Sequence, residues 1–248
     1  QQTQVKTVLP RWEQWMHALP TITALARATP EKIHKLWEGL GYYTRVRNLQ
    51  KAAQFIELHF GGEFPREFDS ILALPGVGRY TAGAICSIAF GQARPVLDGN
   101  VMRVLARLFG IGGSPRAPQT NARLWHLAEE LVSHTAPAGK RSPCGPSQLN
   151  QSLMELGALV CTPRQPRCDA CPVARHCEAL RQNRVHELPE RGLRPRATQR
   201  RFVAFIVEHN GRILVRQRPS DGVNANLWEF PNVELAPNDS NYQRAARQ

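Results

Sequence analysis

Apolar side chains recur three and four residues apart between Gln2 and Leu131, whereas from Arg201 onward they recur every second residue, so no single class of fold accommodates the whole chain. The first pattern passes through Trp12, Trp15, Met16 and Leu19 and then Ile33, Leu36, Trp37 and Leu40, punctuated by Pro10, Pro20, Pro30 and Pro65. It predicts an all-helical domain. The segment Gly113 to Pro146, with Pro115, Pro118, Pro137, Pro143 and Pro146, reads as loop around one helix near Leu124 to Val132, and Gln148 to Leu159 returns to helix before Cys161. The second pattern predicts a strand over Arg201 to Glu208, a hairpin turn at His209-Asn210-Gly211-Arg212 and a return strand over Ile213 to Arg218. Between them, Arg181 to Arg201 is Arg-rich and carries Pro189 and Pro195. It is a linker suited equally to a phosphate backbone and to plain solvent. The expected organisation is therefore a helical domain over 1–181, a basic linker over 182–200 and the beginning of a second, strand-containing domain over 201–248.

Within the helical part, Leu74-Pro75-Gly76-Val77-Gly78-Arg79-Tyr80-Thr81-Ala82-Gly83 joins two short helical runs through a turn with two glycines. Glycine tolerates positive φ and lets backbone N–H groups approach an anion at the start of the next helix, so Gly76, Val77, Gly78 and Arg79 form a candidate phosphate grip. A hairpin that only packs would have the same letters. Asp98, in Leu97-Asp98-Gly99-Asn100-Val101, is a lone acid in an apolar setting at an apparent helix start, where an N-cap role and a chemical role are both open.

The chain has six cysteines, and Cys161, Cys168, Cys171 and Cys177 form C-x6-C-x2-C-x5-C. Structural zinc sites usually show two close cysteine pairs and this loop has one, so a 4Fe-4S cluster held by four thiolates is the better reading, with zinc the alternative. Arg164, Arg167, Arg175 and His176 give the same loop a face that can meet phosphates, while Cys86 and Cys144 read as ordinary thiols. With 32 Lys and Arg against 20 Asp and Glu, the formal charge is +12, which favours a polyanion over an acidic protein or a neutral metabolite. No apolar run reaches the length of a membrane span and no signal peptide opens the sequence, so no membrane partner is expected. An intracellular monomer is expected, in the cytoplasm or nucleoid if the source is bacterial.

The hairpin with its trailing Asp98 resembles the helix-hairpin-helix motif of the DNA glycosylase superfamily that includes endonuclease III and the MutY-type adenine glycosylases. Gln1-Gln2-Thr3-Gln4-Val5, Leu36-Trp37-Glu38-Gly39-Leu40-Gly41-Tyr42-Tyr43 with Arg45, Arg47 and Asn48, and the four-cysteine loop are similar to the MutY branch. Leu227-Trp228-Glu229-Phe230-Pro231 and the strands before it resemble the opening of the Nudix-like domain of that branch. Asn232-Val233 stands where Nudix hydrolases usually have Gly-Gly, so nucleotide hydrolysis is not expected there.

The resemblance implies a mainly α fold, a 4Fe-4S cluster, and double-stranded DNA carrying adenine opposite 8-oxoguanine or guanine as the partner. It implies that Asp98 stabilises or captures the oxocarbenium-like sugar left when the glycosidic bond breaks, with Tyr80 and Asn100 beside it. It also implies that Gln2, Thr3, Leu40 and Tyr42 enter the base stack around the orphaned partner base. Taken alone, Tyr42 and Tyr43 could equally be core aromatics. Tyr80 replaces the lysine of the endonuclease III type, and neither a phenol nor the thioether of Met102 can form a Schiff base, so a monofunctional glycosylase is implied. The general acid of the family would lie upstream of Gln1, and the chain reads as a piece of a longer protein that hardly cleaves adenine as it stands. An endonuclease III-like lyase acting on oxidised pyrimidines and a non-catalytic DNA-binding module are the alternatives.

Overall fold

In a computed structural model the described residues are 5–135, 144–190, 192, 198–219 and 227–236; Gln2 and Thr3 fall outside them. Among the described residues the helices are α1 (Val5–Ala18), α2 (Ile22–Ala26), α3 (Pro30–Leu36), α4 (Thr44–Phe60), α5 (Phe68–Leu72), α6 (Arg79–Ala84), α7 (Gly99–Leu108), α8 (Pro118–Ser133), α9 (Pro146–Glu155) and α10 (Glu178–Arg181). Wider π-type turns extend α6 over Ile85–Ala89 and α9 over Leu156–Val160.

Several prolines that read as breaks are starts. Pro30, Pro118 and Pro146 occupy the first turns of α3, α8 and α9, where the missing N–H has no helical partner to lose. The helix expected near Leu124 therefore begins at Pro118. Thr21 and Thr29 cap α2 and α3 by accepting the N–H groups of Ala24 at 3.0 Å and Lys32 at 3.3 Å. Pro10, by contrast, lies inside α1, which forgoes one backbone hydrogen bond there.

The chain divides into two compact units, one of residues 18–28 and 48–193 and the other of residues 1–17, 29–47 and 194–248. In the first, α7 is the central helix. Its Val101 and Leu105, with Val96, Leu97, Ile111, Leu124, Trp125 and Ala128, form the main apolar cluster, and Tyr80, Met102, Leu153 and Met154 pack on its edge. Each fully buried aliphatic side chain contributes roughly 1.5–3 kcal/mol, which lets α7 also carry Arg103 and Arg107 inward. Ala52, Ile56 and Leu74 form a second cluster and Ile71, Ala82 and Cys86 a third, with Val77 packed against both.

In the other unit Ile33 and Val46 are buried, and Trp15 meets Trp37 edge-on with ring centroids 5.8 Å apart. Its strands are β1 (Arg201–Ala204), β2 (Glu208–His209), β3 (Arg212–Ile213), β4 (Arg216–Gln217), β5 (Trp228–Glu229) and β6 (Asn232–Leu235), paired antiparallel as β1 with β6, β2 with β3 and β4 with β5. The hairpin turn falls where expected, with Asn210 at φ 51° and Gly211 at φ 70°. The long strands expected on either side are each broken in two. The first pairs with β6 through Ala204 and then changes partner to β3, and Pro231, which has no N–H to donate, separates β5 from β6.

Candidate nucleic-acid interface and cluster loop

Asp98 is the N-cap of α7, as its position suggested. Its Oδ1 accepts the N–H groups of Asn100 at 3.0 Å and Val101 at 2.8 Å, while Oδ2 accepts from Asn100 Nδ2 at 3.2 Å. Capping and chemistry are thus compatible: three N–H donors fix a half-buried carboxylate in one orientation. Tyr80 packs on the edge of the cluster that α7 anchors, and its hydroxyl meets Met154 Sδ at 3.4 Å.

Behind Asp98 lie two arginines that sequence reasoning passed over. Arg103 Nη2 donates to Asn100 Oδ1 at 2.9 Å and to the Gly157 carbonyl at 2.6 Å, and its Nε donates to the Cys161 carbonyl at 2.7 Å. Burial lowers the pKa of this guanidinium from its ordinary value; Arg107 adds to that, and Cys161 and Asp98 oppose it. One turn on, Arg107 donates to the carbonyls of Leu188 at 2.8 Å and Thr162 at 2.8 Å and to Cys161 Sγ at 3.3 Å. The available signal was two arginines four residues apart on an otherwise apolar helical face. Gly157 belongs to this network by its carbonyl and also by what it lacks: a Cβ there would stand 2.7 Å from Asn100 Cβ and 2.9 Å from Asn100 O.

Cys161, Cys168, Cys171 and Cys177 line one cavity of about 30 Å³, walled also by Arg107, Arg167 and the apolar side chains of Val160, Pro166, Ala174, Leu180 and Val185. Burial first, and then the three neighbouring thiols, push Cys168 up from the usual thiol range, while Arg107 opposes them. Among the described residues no three His, Cys, Asp or Glu side chains converge as one metal ion demands. Four cysteine thiols lining one cavity are a donor set that an iron-sulfur cluster takes. Arg164, Arg167, Arg175 and His176 are exposed around the loop, Cys86 is buried elsewhere and Cys144 lies outside this cavity.

At the hairpin, Gly76 has φ +79°, and a Cβ there would stand 2.5 Å from Asn48 Cβ, so glycine is required. Gly78 differs from the expectation. It is extended, at φ −99°, it caps α6 without a side-chain hydrogen bond, and a Cβ there would meet nothing within 4 Å. Its value is open space in front of α6 rather than a left-handed turn. Val77 turns its side chain into the packed clusters, and its N–H is taken by the Leu74 carbonyl at 3.0 Å. Arg79 stacks over the Trp125 ring at 4.0 Å and pairs with Glu129, so a phosphate approaching its guanidinium competes with that carboxylate.

In the other unit, the turn from Gly39 to Tyr42 projects an aromatic. Tyr42 is 70% exposed with φ 48°, between Gly39 and Gly41, both also at positive φ, and Thr44 at the start of α4. A non-glycine residue held there costs on the order of 1–3 kcal/mol. Leu40 beside it is half-buried, and Tyr43 faces His34 edge-on with centroids 5.9 Å apart.

A helical hairpin, a capping aspartate at the next helix and a four-thiol cavity on one framework define a helix-hairpin-helix protein with an iron-sulfur loop. Residues 1–130 match the family described as HhH-GPD superfamily base excision DNA repair protein, and residues 161–177 match the iron-sulfur binding domain of endonuclease III. The chain belongs to the HhH-GPD superfamily of base excision DNA repair proteins, and its cofactor is a 4Fe-4S cluster. Over its whole length it is 40% identical to the adenine DNA glycosylase of Rattus norvegicus and 37% identical to that of Homo sapiens, covering 55% and 52% of them. The chain thus spans about half the length of these relatives. A thermostable thymine-DNA glycosylase superposes with a TM-score of 0.60 at 30% identity over 70% of this chain and 76% of that one. A non-covalent endonuclease III–DNA complex gives 0.59 at 23% identity over 73% and 79%, a likeness of fold.

Proposed function

We propose that this chain is the glycosylase portion of a monofunctional adenine DNA glycosylase, which hydrolyses the N-glycosidic bond of adenine paired with 8-oxoguanine or guanine in duplex DNA. The observation that carries the reading is Asp98, a carboxylate fixed by three N–H donors in a chain similar to adenine DNA glycosylases from end to end. When the C1′–N9 bond breaks, its electron pair leaves with adenine and positive charge develops on the deoxyribose. A fixed carboxylate beside C1′ stabilises that charge without reorganising. Water then supplies hydroxide to C1′. The departing base takes up a proton, and general acid catalysis of that transfer is worth about a hundred- to ten-thousand-fold in rate.

The 4Fe-4S cluster, held by Cys161, Cys168, Cys171 and Cys177, supplies a rigid anchor for the loop, whose exposed arginines then face phosphates. The open N-terminus of α6 at Gly78 contacts the same backbone, and Leu40 and Tyr42, with Gln2 and Thr3, fill the stack beside the orphaned base. We also propose that the protein acts as a monomer within the cell, and that 1–181 form the glycosylase domain, 182–200 the linker and 201–248 the opening of a Nudix-like domain.

The test is single-turnover adenine release from a duplex with one adenine opposite 8-oxoguanine, using the full-length product of the gene. Release that disappears in Asp98→Asn supports the reading; equal release by that variant overturns it. Borohydride should trap little adduct on the same duplex, because neither Tyr80 nor Met102 offers an amine. Efficient trapping would shift the activity to that of a lyase.

A further inference from the structure

We propose that Arg45 is a positioning residue that holds Tyr42 erect before DNA arrives, and so sets how well the protein distinguishes a mispaired duplex from a matched one. Three groups of the turn converge on or beside its side chain. The guanidinium lies 5.3 Å from the Tyr42 ring centroid and 5.6 Å from that of Trp37, which places a planar cation against both aromatics. Its Nη2 donates to the Leu40 carbonyl at 3.3 Å, its backbone N–H donates to the Tyr42 carbonyl at 2.8 Å, and Trp37 Nε1 donates to the Gly41 carbonyl at 2.9 Å. Every carbonyl from Leu40 to Tyr42 therefore has a donor from Arg45 or Trp37. Arg45 Nε is buried without an acceptor among the described residues, so stacking rather than a full set of hydrogen bonds dictates where the guanidinium sits.

A ring that is 70% exposed at φ 48° would, left alone, relax to a commoner backbone conformation. Pre-ordering it removes that relaxation from the cost of binding, and the benefit appears only where a base has left the stack and the ring has a gap to enter. A matched duplex offers no gap. A cation that merely touched phosphate would instead help both duplexes alike, and lysine would replace it.

The inference rests on the proposed entry of Tyr42 into the stack, and the experiment separates the two. Equilibrium affinities of the full-length protein for an adenine:8-oxoguanine duplex and for its matched counterpart are measured across a salt series with Tyr42→Ala, Arg45→Lys and the double variant. Thermal melting verifies that each is folded. Tyr42→Ala should reduce the ratio of the two affinities by roughly five- to 150-fold, the range of one lost base–aromatic stack. Arg45→Lys should reduce that ratio about three- to tenfold with the salt slope unchanged, and should add little to Tyr42→Ala, since both act on one ring. If Tyr42→Ala leaves the ratio intact, the stacking role is overturned and the inference falls with it. If Tyr42→Ala lowers the ratio and Arg45→Lys does not, only the positioning role of Arg45 is overturned. A fall in both affinities together, with a shallower salt slope, would make Arg45 a phosphate contact instead.

Discussion

The surroundings of Asp98 and the turn that carries Tyr42 solve the same problem, holding one side chain still, by opposite physical means. Asp98 is half-buried and fixed by hydrogen bonds, backed by Asn100 and then by Arg103, whose donors end on carbonyls of a different segment. Tyr42 is exposed and held in a left-handed conformation by ring stacking and a few backbone contacts. Hydrogen bonds to charged groups, at about 1.5–3 kcal/mol each, suit a group that must not move while charge develops. Stacking at an exposed site, nearer 0.5–1 kcal/mol, suits a ring held ready for a gap proposed to open beside it. On the roles proposed for Asp98 and Tyr42, chemistry falls in the stiff region and recognition in the compliant one.

Four substitutions bear on this contrast. The largest effect is expected from Asp98→Asn in the full-length product. Asn is as good an N-cap as Asp, so α7 and duplex affinity should persist, while adenine release falls by about a hundred- to a thousandfold or more in a single-turnover assay. If Asp98→Asn instead lowers the melting temperature and affinity together, the carboxylate is structural and the stiff half of the contrast is lost. Next, Arg103→Leu leaves the carbonyls of Cys161 and Gly157 and the Asn100 carboxamide short of a donor, so stability should fall by about 3 kcal/mol in denaturant titration. A loss below about 0.5 kcal/mol would mean that water replaces the guanidinium and that the region is not stiff.

Cys171→Ala separates loop from core. It should abolish the visible absorption of the cluster and weaken duplex binding, yet leave most of the far-ultraviolet helix signal, because α7 is anchored by its own apolar cluster. Collapse of the helix signal would show that the two are one cooperative unit. The smallest effect belongs to the compliant region. Trp37→Phe keeps a ring beneath Arg45 but removes the donor to the Gly41 carbonyl, and should narrow mispair discrimination by about two- to fivefold without altering the rate of release from bound duplex. A changed release rate would tie the turn to the chemistry and erase the distinction.

Much of this was legible in the sequence because local chemistry demands particular residues. Gly76 must be glycine for its positive φ, an acid fits the start of α7, and four cysteines at that spacing have few uses. The Asn-Gly turn at 210–211 was fixed by the same logic. What escaped depends on partners distant along the chain. Arg103 bonds a carbonyl 58 residues away and Arg107 one 81 residues away, so nothing nearby marks either as buried. Gly78 looked like a partner of Gly76, yet its extended backbone was set by the helix it caps. The strands changed partners midway because pairing to β6 and to β3 competes for one segment, a choice that alternation cannot express.

Gly157 bears on how inherited variation in such a chain is read. It offers no charge, no donor and no ring, so any ranking by chemical character passes over it. Adding a single methyl group would nevertheless press on Asn100 Cβ, O and C, all within 3.0 Å, and thereby on the partner that orients Asp98. A Gly157→Ala carrier should make protein that is soluble, coloured by its cluster and able to bind duplex, but slow to release adenine. Such an allele would be mistaken for a neutral one by any assay except turnover, and unimpaired turnover would show that the contact yields without cost.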